Sequence, residues 1–408
     1  MGFLARDTFL LTFCNQQGSL FHSLCVVDFG GPRFSWVELD SIPDEVKQDF
    51  GGVCGACRIG EQVAICTQSN KAVVAIVDPA TGCIGPVQVL EGCKDLHSMV
   101  YHDGYLYVTS TGTNEIYRVK VDSGPSLGEQ ELFWRYPNLR YDRDEVHLNG
   151  LTVSDNRFIA SCFGVRAPDE SWSAAGKVFY LDSGHAIRDG LDQPHTPLVV
   201  DNQLFFAESA EKKVFAYKKA ALDGWNFHAE IAMPGYTRGL ALQAGKLLVG
   251  ISSNRNISRS MKTAVADIRE SADAAVMRVN LETHAAELAY DLSAFTREVY
   301  DIVPVNGVPL LSPPFGALSH RVREMESTID RYMVNVQSLL SQLEEAHRQL
   351  EEAHLSLSSL QSELEKTRRT VSWWVTGPLR AGRRAIDSLL SRFRSPPMSA
   401  KPERLRQR

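Results

Sequence analysis

The chain has 408 residues, of which 44% are hydrophobic and 23% charged, a composition of globular domains that excludes a wholly disordered or fibrous protein. Its formal net charge of −6 is unevenly distributed, because residues 366–408 contain twelve Lys or Arg and two Asp or Glu. They carry +10, which leaves −16 on the preceding residues. Nucleic-acid binding needs a basic face against the phosphates, so we expect no nucleic-acid partner for this body.

The first residues, MGFLARDTFLLTFC, do not resemble a secretion signal, because Arg6 and Asp7 interrupt the apolar run and no small-residue cleavage site follows. No apolar run approaches the ~20 residues of a membrane-spanning helix. The eight cysteines lie mostly in strand-like apolar runs, which is typical of reduced thiols. We therefore predict a cytoplasmic protein, with a peripheral position at the inner membrane face if its carboxy-terminal segment binds lipid.

One phrase recurs along the first three quarters of the chain: a polar residue, a short apolar strand, a turn with Gly or Asn, and a second apolar strand. Clear copies begin at Leu96, Leu148, Pro194 and Thr237, with a weaker copy at Val53. The clear copies lie roughly 43 to 52 residues apart, the spacing of propeller blades. Two further alternating strands follow each copy, so each unit has material for a four-stranded blade.

The strand at residues 299–305 has no blade after it, whereas the first residues of the chain supply three strands that lack a fourth. Pairing the two ends removes an open sheet edge. The sequence thus predicts an all-β six-bladed β-propeller over residues 1–313. A β-sandwich, the alternative, would repeat its strands every 8–12 residues. Within the sixth blade, the polar stretch 252–276 predicts a surface insertion or a lid over the channel.

The phrases HLNGLTV, PHTPLVVDNQLFFAES, MPGYTRGLALQAGKLLVGIS and EVYDIVPV resemble a bacterial family of uncharacterised six-bladed propellers, a domain of unknown function. This resemblance implies a setting near surface-polysaccharide genes and implies no established activity. LNGLTVSDNR also resembles the blade openings of gluconolactonase-like and strictosidine-synthase-like propellers. Fold alone does not fix function in either case.

One polar residue opens the inner strand of each blade, and inner strands line a propeller's channel, so we expect these side chains to meet at one mouth. The six positions are Cys54, His97, Asn149, His195, Arg238 and Asp301. His147 and Glu298 lie just ahead of their strands and join the candidate ligand-binding set. Water or neighbouring backbone satisfies many such polar groups, so a purely structural ring is the competing interpretation.

Arg238 favours an anionic or sugar-like ligand, because a guanidinium repels a cation and binds carboxylate or phosphate in a fork. His97 and His195 are candidate acid and base groups, with Asp301 to orient one of them. We expect no metal; were one present, the ligands would be Asn149, His97, His195 and Asp301. No cofactor can be named from the sequence. A binding module, an enzyme of hydrolase, lactonase or sugar-modifying type, and a non-catalytic scaffold all remain open.

After a linker at residues 314–320 the apolar period changes from two to seven. Residues 321–371 repeat apolar positions in steps of three and four, which predicts a coiled coil, and an exposed helix of this kind needs a partner. We expect self-association through residues 322–371, with oligomer size and strand orientation undetermined. The alternative is one amphipathic helix packed on the propeller.

Residues 372–395 set Trp and Leu residues beside five arginines, the pattern of an interfacial helix on anionic lipid. This segment resembles a tail found after coiled coils in bacterial glycan-assembly glycosyltransferases. Its expected partner is an anionic membrane surface or glycan-assembly proteins, and residues 396–408 are expected to be disordered. Together these observations predict a ligand-binding propeller on a coiled-coil oligomer in envelope polysaccharide assembly.

Overall fold

A computed structural model of the chain describes residues 8–14, 23–29, 33–48, 50–121, 127–166, 172, 174–221, 224–253, 273–293, 295–305 and 315–391. For residues 33, 34, 315–339, 370, 372, 373 and 375 it describes the backbone alone. The chain divides into two compact units, Met1–Ser312 and Pro313–Arg408. Most of the polar insertion in the sixth blade and the tail 396–408 lie outside the described residues.

The described part of the first unit consists mainly of strands, with one short α-helix, α1 (Asp44–Lys47), and one 3-10 helix (Thr111–Thr113). Its described strands are β1 (Thr8–Thr12), β2 (Leu24–Asp28), β3 (Arg33–Trp36), β4 (Val53–Ile59), β5 (Gln62–Thr67), β6 (Val73–Asp78), β7 (Cys83–Val89), β8 (Leu96–His102), β9 (Tyr105–Ser110), β10 (Glu115–Val121), β11 (Leu127–Arg135), β12 (Leu148–Ser154), β13 (Arg157–Cys162), β14 (Gly176–Tyr180), β15 (Ala186–Leu191), β16 (Pro194–Val200), β17 (Gln203–Glu208), β18 (Lys213–Lys219), β19 (Trp225–Ala232), β20 (Tyr236–Gln243), β21 (Lys246–Ser252), β22 (Ala275–Asn280), β23 (Ala286–Asp291) and β24 (Asp301–Pro304).

These strands form six four-stranded antiparallel sheets, and five of the sheets contain four consecutive strands. The sixth has the order β24-β1-β2-β3, because the last strand pairs with the first. Leu10 lies opposite Val303, and Leu11 opposite Ile302. This pairing closes the ring between the two ends of the unit, and the predicted six-bladed β-propeller is confirmed.

The innermost strands are β4, β8, β12, β16, β20 and β24, and each contacts the next around the ring, with β24 in contact with β4. Two glycines permit this close approach. A Cβ on Gly55 would lie 2.6 Å from the Cα of Ser98, and a Cβ on Gly239 would lie 2.8 Å from the Cα of Asp301. A side chain at either glycine would therefore push neighbouring blades apart.

The hydrophobic core is divided among the spaces between adjacent sheets. Phe205 and Leu247, for example, belong to one buried cluster between the sheet β16–β19 and the sheet β20–β23. Alternating strands supply these side chains, since every second residue points to the same face. Burial of each large apolar side chain contributes about 1.5–3 kcal/mol, so this packing holds the blades around the channel.

The second unit contains the helix α2 (Phe315–Ser391). Residues 315–320, predicted as a linker, are helical, and the helix begins directly after Pro313 and Pro314 in the sequence. Proline favours the start of a helix, which agrees with this position. Among the described residues, no helix is long and apolar enough to cross a membrane.

Candidate functional site

The backbone at the start of four inner strands repeats one local conformation. The residue two positions before the channel residue has a positive φ: +121° at Gly52, +52° at Asp95, +50° at His147 and +54° at Gln193. A register shift then follows within the inner strand, as between Leu96 and Met99 in β8. Such bulges re-aim side chains next to sites, and here they mark the point at which Cys54, His97, Asn149 and His195 leave the sheet.

Five aromatic or imidazole rings form a closed circuit at the centre of the propeller. The centroid distances are 4.9 Å for His97 and His147, 4.3 Å for His147 and Phe163, 5.1 Å for Phe163 and His195, 6.4 Å for His195 and Tyr300, and 5.7 Å for Tyr300 and His97. All five residues are 2–7% exposed, so only a small part of each side chain reaches solvent. We call this group the ring circuit.

Two further aromatic side chains extend the ring circuit. Trp172 contacts His147 with ring centroids 5.2 Å apart, and Tyr236 contacts His195 at 5.8 Å. The guanidinium carbon of Arg238 lies 5.4 Å from the centre of the Tyr300 ring and 5.1 Å from that of Tyr236. The structure therefore brings the predicted residues His97, His147, His195 and Arg238 together within one aromatic setting.

The hydrogen bonds of His97 and His195 fix which ring nitrogen carries a proton. Nδ1 of His97 lies 2.9 Å from the carbonyl oxygen of Asp95, and Nδ1 of His195 lies 3.0 Å from that of Gln193. A carbonyl oxygen only accepts, so Nδ1 is the donor in both rings, and in the neutral ring Nε2 keeps its lone pair. Ser209 supports His195, because its Oγ lies 2.7 Å from Nδ1 and donates its own proton to the carbonyl of Thr237.

Burial keeps both of these imidazoles neutral at pH 7. It lowers the pKa of His97 below the usual value, although the carboxylate of Asp95 acts in the opposite direction. Burial and then the positive charge of Arg238 lower the pKa of His195 well below its usual range. Both rings therefore present an unprotonated Nε2 as a hydrogen-bond acceptor.

His147 is held differently, by a carboxylate. Nδ1 of His147 lies 2.7 Å from Oδ2 of Asp144, and the His147 backbone N–H donates to Oδ1 of Asp144, also at 2.7 Å. Arg166 lies 3.6 Å from the same carboxylate and stacks 4.0 Å from the Trp172 ring centre. Burial opposes ionisation of Asp144, but the charge and hydrogen bonds of His147, together with Arg166, lower the pKa of this carboxyl.

Arg238 and Glu298 form a buried ion pair. The Nη1 of Arg238 lies 2.5 Å from Oε2 of Glu298, and the Cys14 thiol donates to the same oxygen at 3.1 Å. Burial alone would lower the pKa of Arg238, but the carboxylate of Glu298 raises it well above its usual value. The charge expected to anchor an anion is thus balanced within the protein. Arg238 is not a free anion anchor, because Glu298, itself predicted to bind ligand, is its counter-ion.

Three other predicted residues use their side chains for hydrogen bonds or packing within the propeller. The amide of Asn149 donates to the carbonyl of Pro194 at 3.0 Å and accepts from Ser161 Oγ at 2.8 Å. Asp301 accepts backbone N–H groups from the neighbouring inner strand and its own, at 3.0 and 2.9 Å, and orients no histidine; Asp144 has that role. Cys54 is fully buried and packs in the apolar cluster around Leu96.

Three buried donors in and around the ring circuit have no hydrogen-bond partner among the described residues: the hydroxyl of Tyr300, Nε1 of Trp172 and Nε of Arg238. His97 and His195 form their hydrogen bonds through Nδ1, and within the described ranges their Nε2 atoms accept none. Tyr300 and Trp172 are 4% and 5% exposed. A buried donor without a partner costs about 1–3 kcal/mol, so these donors find their partners outside the described residues, in water, in a ligand or in another part of the chain.

Within the described ranges, no group of three or more His, Cys, Asp or Glu side chains has an arrangement that could hold a metal ion. Two of the four ligands considered for a metal, Asn149 and Asp301, use their side-chain oxygens for the hydrogen bonds given above.

Sequence reasoning missed Tyr300, Phe163, Trp172 and Asp144. Tyr300 directly precedes the predicted Asp301, and only the alternation of side chains within β24 decides which of the two reaches the ring circuit. Asp144 lies three residues before His147, a spacing that suits an Asp side chain bonding to a backbone N–H ahead of it. Phe163 and Trp172 follow β13 in a connection with no periodic pattern, and the sequence carries no signal for them.

The architecture and the central ring circuit define this chain as a six-bladed β-propeller with a polar, aromatic channel. The family described as a domain of unknown function, DUF4915, matches residues 84–311, and the chain belongs to that family. A search of curated protein sequences finds no match.

Three solved structures are among those to which the fold is similar. One is from a nidogen/laminin complex, with a TM-score of 0.48, 10% identity, and coverage of 72% of this chain and 97% of that one. A protein of unknown function from Bacteroides caccae has a TM-score of 0.48 and 10% identity, with coverage of 72% of this chain and 98% of that one. A luciferin-regenerating enzyme has a TM-score of 0.39 and 12% identity, with coverage of 60% of this chain and 89% of that one. At these levels of similarity the likeness supports no inference about activity.

Proposed function

We propose that the ring circuit binds a small, neutral, polyhydroxylated molecule of the sugar type. The observation that carries this proposal is the set of atoms without a partner among the described residues: the Nε2 acceptors of His97 and His195, and the donors of Tyr300, Trp172 and Arg238. A hydroxyl group both donates and accepts, so a molecule with several hydroxyls complements acceptors and donors at once. Convergent polar groups within an apolar lining are the usual composition of a small-molecule site.

Charge favours a neutral ligand over an anionic one. A carboxylate or phosphate only accepts hydrogen bonds, and the Nε2 atoms of His97 and His195 are acceptors as well, so an anion would meet lone pairs instead of donors at these two rings. The guanidinium of Arg238 already has the carboxylate of Glu298 as its counter-ion. A neutral sugar suits the envelope-polysaccharide setting that the resemblance of the sequence implies.

Calorimetric titration of the full chain with neutral hexoses, and with the matching hexuronic acids and hexose phosphates, tests this function. We expect a neutral hexose to bind more tightly than its two acidic counterparts. His97→Ala and His195→Ala should each weaken binding about 2- to 10-fold, the effect of one neutral hydrogen bond of about 0.5–1.5 kcal/mol. His185→Ala is the matched control, because His185 is exposed and lies outside the ring circuit.

Preference for the acidic ligands, or equal losses in the two channel variants and the control, would contradict the proposal. If no hexose binds and all channel variants keep their fold, water alone completes the network and the scaffold interpretation stands.

We also propose that helix α2 joins copies of this chain. Leu343, Leu350, Leu357, Leu364 and Val371 recur every seven residues and are 54–71% exposed. A seam of this period is buried when helices supercoil. Leu350→Glu with Leu357→Glu in the full chain should reduce the mass measured by light scattering to that of one chain. Ser359→Glu, on another face of the helix, should leave the mass unchanged.

For the end of the helix we propose contact with an anionic membrane surface. Leu379, Ile386 and Leu390 share one side of the helix, and Arg380 and Arg384 lie on its flank, all of them exposed. Flotation with phosphatidylglycerol-containing vesicles should exceed flotation with phosphatidylcholine alone. Replacing the two arginines by Glu should abolish this difference. Equal flotation of wild type and variant would leave glycan-assembly proteins as the partner.

A further inference from the structure

We infer that His147 and Asp144 form a proton-transfer pair that hydrolyses an O-acyl ester of a sugar-type molecule held in the ring circuit. The inference rests on the proposed binding function and adds a reaction to it. Its basis is a difference among the three channel histidines. Nδ1 of His97 and His195 contacts backbone carbonyls, whereas Nδ1 of His147 contacts a carboxylate at 2.7 Å.

Asp144 fixes the orientation of this imidazole. It accepts two hydrogen bonds from His147, one from the ring and one from the backbone N–H. The second bond holds His147 at a φ of +50°, a conformation that costs energy for a residue with a side chain. The carboxylate therefore sets the tautomer and stabilises the ring once Nε2 gains a proton.

The partners of a base in ester hydrolysis lie beside His147. Nε2 of His147 contacts no described residue as a hydrogen-bond partner, so it is available to a water molecule. The Trp172 ring is 5.2 Å away, and its N–H, which has no partner among the described residues, can donate to an oxygen that becomes negatively charged. Base and donor thus belong to two rings in contact.

The reaction that uses these groups is attack of water on the ester carbonyl. Nε2 of His147 takes a proton from water while the oxygen of that water forms a bond to the carbonyl carbon, and the N–H of Trp172 donates to the carbonyl oxygen. The bond from this carbon to the sugar oxygen then breaks, and the imidazolium returns its proton to the departing oxygen. Ester and water give acid and alcohol, and His147 ends as it began.

Other arrangements of the same residues are less suited to chemistry. A glycosidase needs two carboxyl groups flanking the bond, but Glu298 is paired with Arg238, and Asp144 with His147. Ser209 contacts Nδ1 of His195 and donates its proton to a backbone carbonyl, so it is not placed as a nucleophile activated by an Nε2. Water is therefore the nucleophile that this geometry favours.

The test follows acetate release from a panel of O-acetylated hexoses by NMR, with the full chain. Wild type should release acetate catalytically. His147→Asn and Asp144→Asn should lower kcat by about 100-fold or more while KM changes little, as expected for a group that acts on the proton and not on binding. Asn is chosen at position 147 because it tolerates a positive φ.

Two controls separate this role from a structural one. His185→Asn and Asp182→Asn change exposed residues of the same types and should leave the rate unchanged. In NMR spectra of ¹⁵N-histidine-labelled protein, Asp144→Asn should shift the His147 proton partly from Nδ1 to Nε2, with the spectra of His97 and His195 unaltered.

The results distinguish the binding proposal from the hydrolytic proposal. If neutral hexoses bind and no acetate appears, or if the two variants retain the wild-type rate, the hydrolytic inference is overturned and the binding function stands. Acetate release that depends on His147 without measurable hexose binding supports the pair and contradicts binding of a neutral hexose. If neither binding nor release occurs, both proposals fall.

Discussion

The two sides of the channel mouth contain the same kinds of polar residue but use them in opposite ways. On one side, Arg238, Glu298 and Cys14 bond to one another through contacts of 2.5–3.1 Å, although Nε of Arg238 has no partner among the described residues. On the other, hydrogen bonds through Nδ1 alone orient His97 and His195, and Nε2 of each ring has no partner among the described residues. Both sides are almost fully buried, so exposure does not distinguish them.

The polar residues of the channel thus form two groups, those that complete the scaffold and those that can bind a ligand. A residue whose charge or hydrogen-bonding groups are mostly matched within the protein contributes to folding, and its loss leaves a buried partner unsatisfied. A residue with one matched and one unmatched nitrogen is oriented by the first and can bind through the second. The following predictions test this division, beginning with the largest effect.

Arg238→Ala should be the most destabilising of these substitutions. It leaves the Glu298 carboxylate buried without its counter-ion, which costs about 3–5 kcal/mol. Urea denaturation measures the loss. Replacing both Arg238 and Glu298 by Leu should recover most of it, because the pair can be exchanged for apolar residues at little cost.

The matched control is Arg157→Ala, which breaks the two hydrogen bonds that this residue makes to Asp182 at 2.7 and 2.9 Å. That pair is largely exposed, so the loss should stay within about 1 kcal/mol. Equal losses at the two arginines would remove the distinction between the buried and the exposed pair.

Asn149→Ala should lower stability by about 1–3 kcal/mol, because the Pro194 carbonyl loses its donor and the Ser161 hydroxyl its acceptor. Hexose affinity should not change, since this amide belongs to the scaffold. Denaturation and calorimetry on the same preparation check both parts. A variant with normal stability and weakened hexose binding would show that Asn149 contacts the ligand and is not part of the scaffold.

Acidification should destabilise the propeller through His97 and His195. Both folded-state pKa values are lowered, so below about pH 6.5 the unfolded chain binds more protons than the folded chain, and stability falls as pH decreases. His97→Gln with His195→Gln should reduce the drop in stability between pH 7 and pH 5. An unchanged pH dependence would show that the two rings are not buried in neutral form.

Asp301 should give a smaller effect of opposite sign. Burial raises the pKa of its carboxyl to about 7, although the backbone N–H groups of Ala56 and Ile302 act to lower it. The folded chain therefore holds an extra proton between about pH 4 and 7, and this contribution to stability is lost as pH rises through 7. Asp301→Asn should thus lower stability relative to wild type more at pH 5 than at pH 8. Thermal unfolding of both proteins at the two pH values measures this difference.

The propeller was predictable because each blade repeats the same phrase, and the repeat also identified which residues open the inner strands. His97 and His195 lie in the ring circuit for that reason. The partner of each polar group was not predictable, since the pairing of Arg238 with Glu298 joins residues 60 positions apart. Packing between blades decides such pairs, and a repeat describes one blade at a time. The same limit led to the wrong assignment of Asp301 as a histidine partner, where local spacing would have favoured Asp144 for His147.

The central claim, that the neutral imidazoles of His97 and His195 present Nε2 acceptors to a ligand, is tested most directly by NMR of ¹⁵N-histidine-labelled full-length protein. Substitution of each channel histidine by Gln assigns its signals. At pH 7 we predict that His97 and His195 carry their proton on Nδ1 and that both Nε2 signals are those of unprotonated nitrogen. Addition of a neutral hexose that binds should shift these Nε2 signals and leave that of His185 in place. Protonated Nε2 atoms, or signals that the hexose leaves unchanged, would contradict the account.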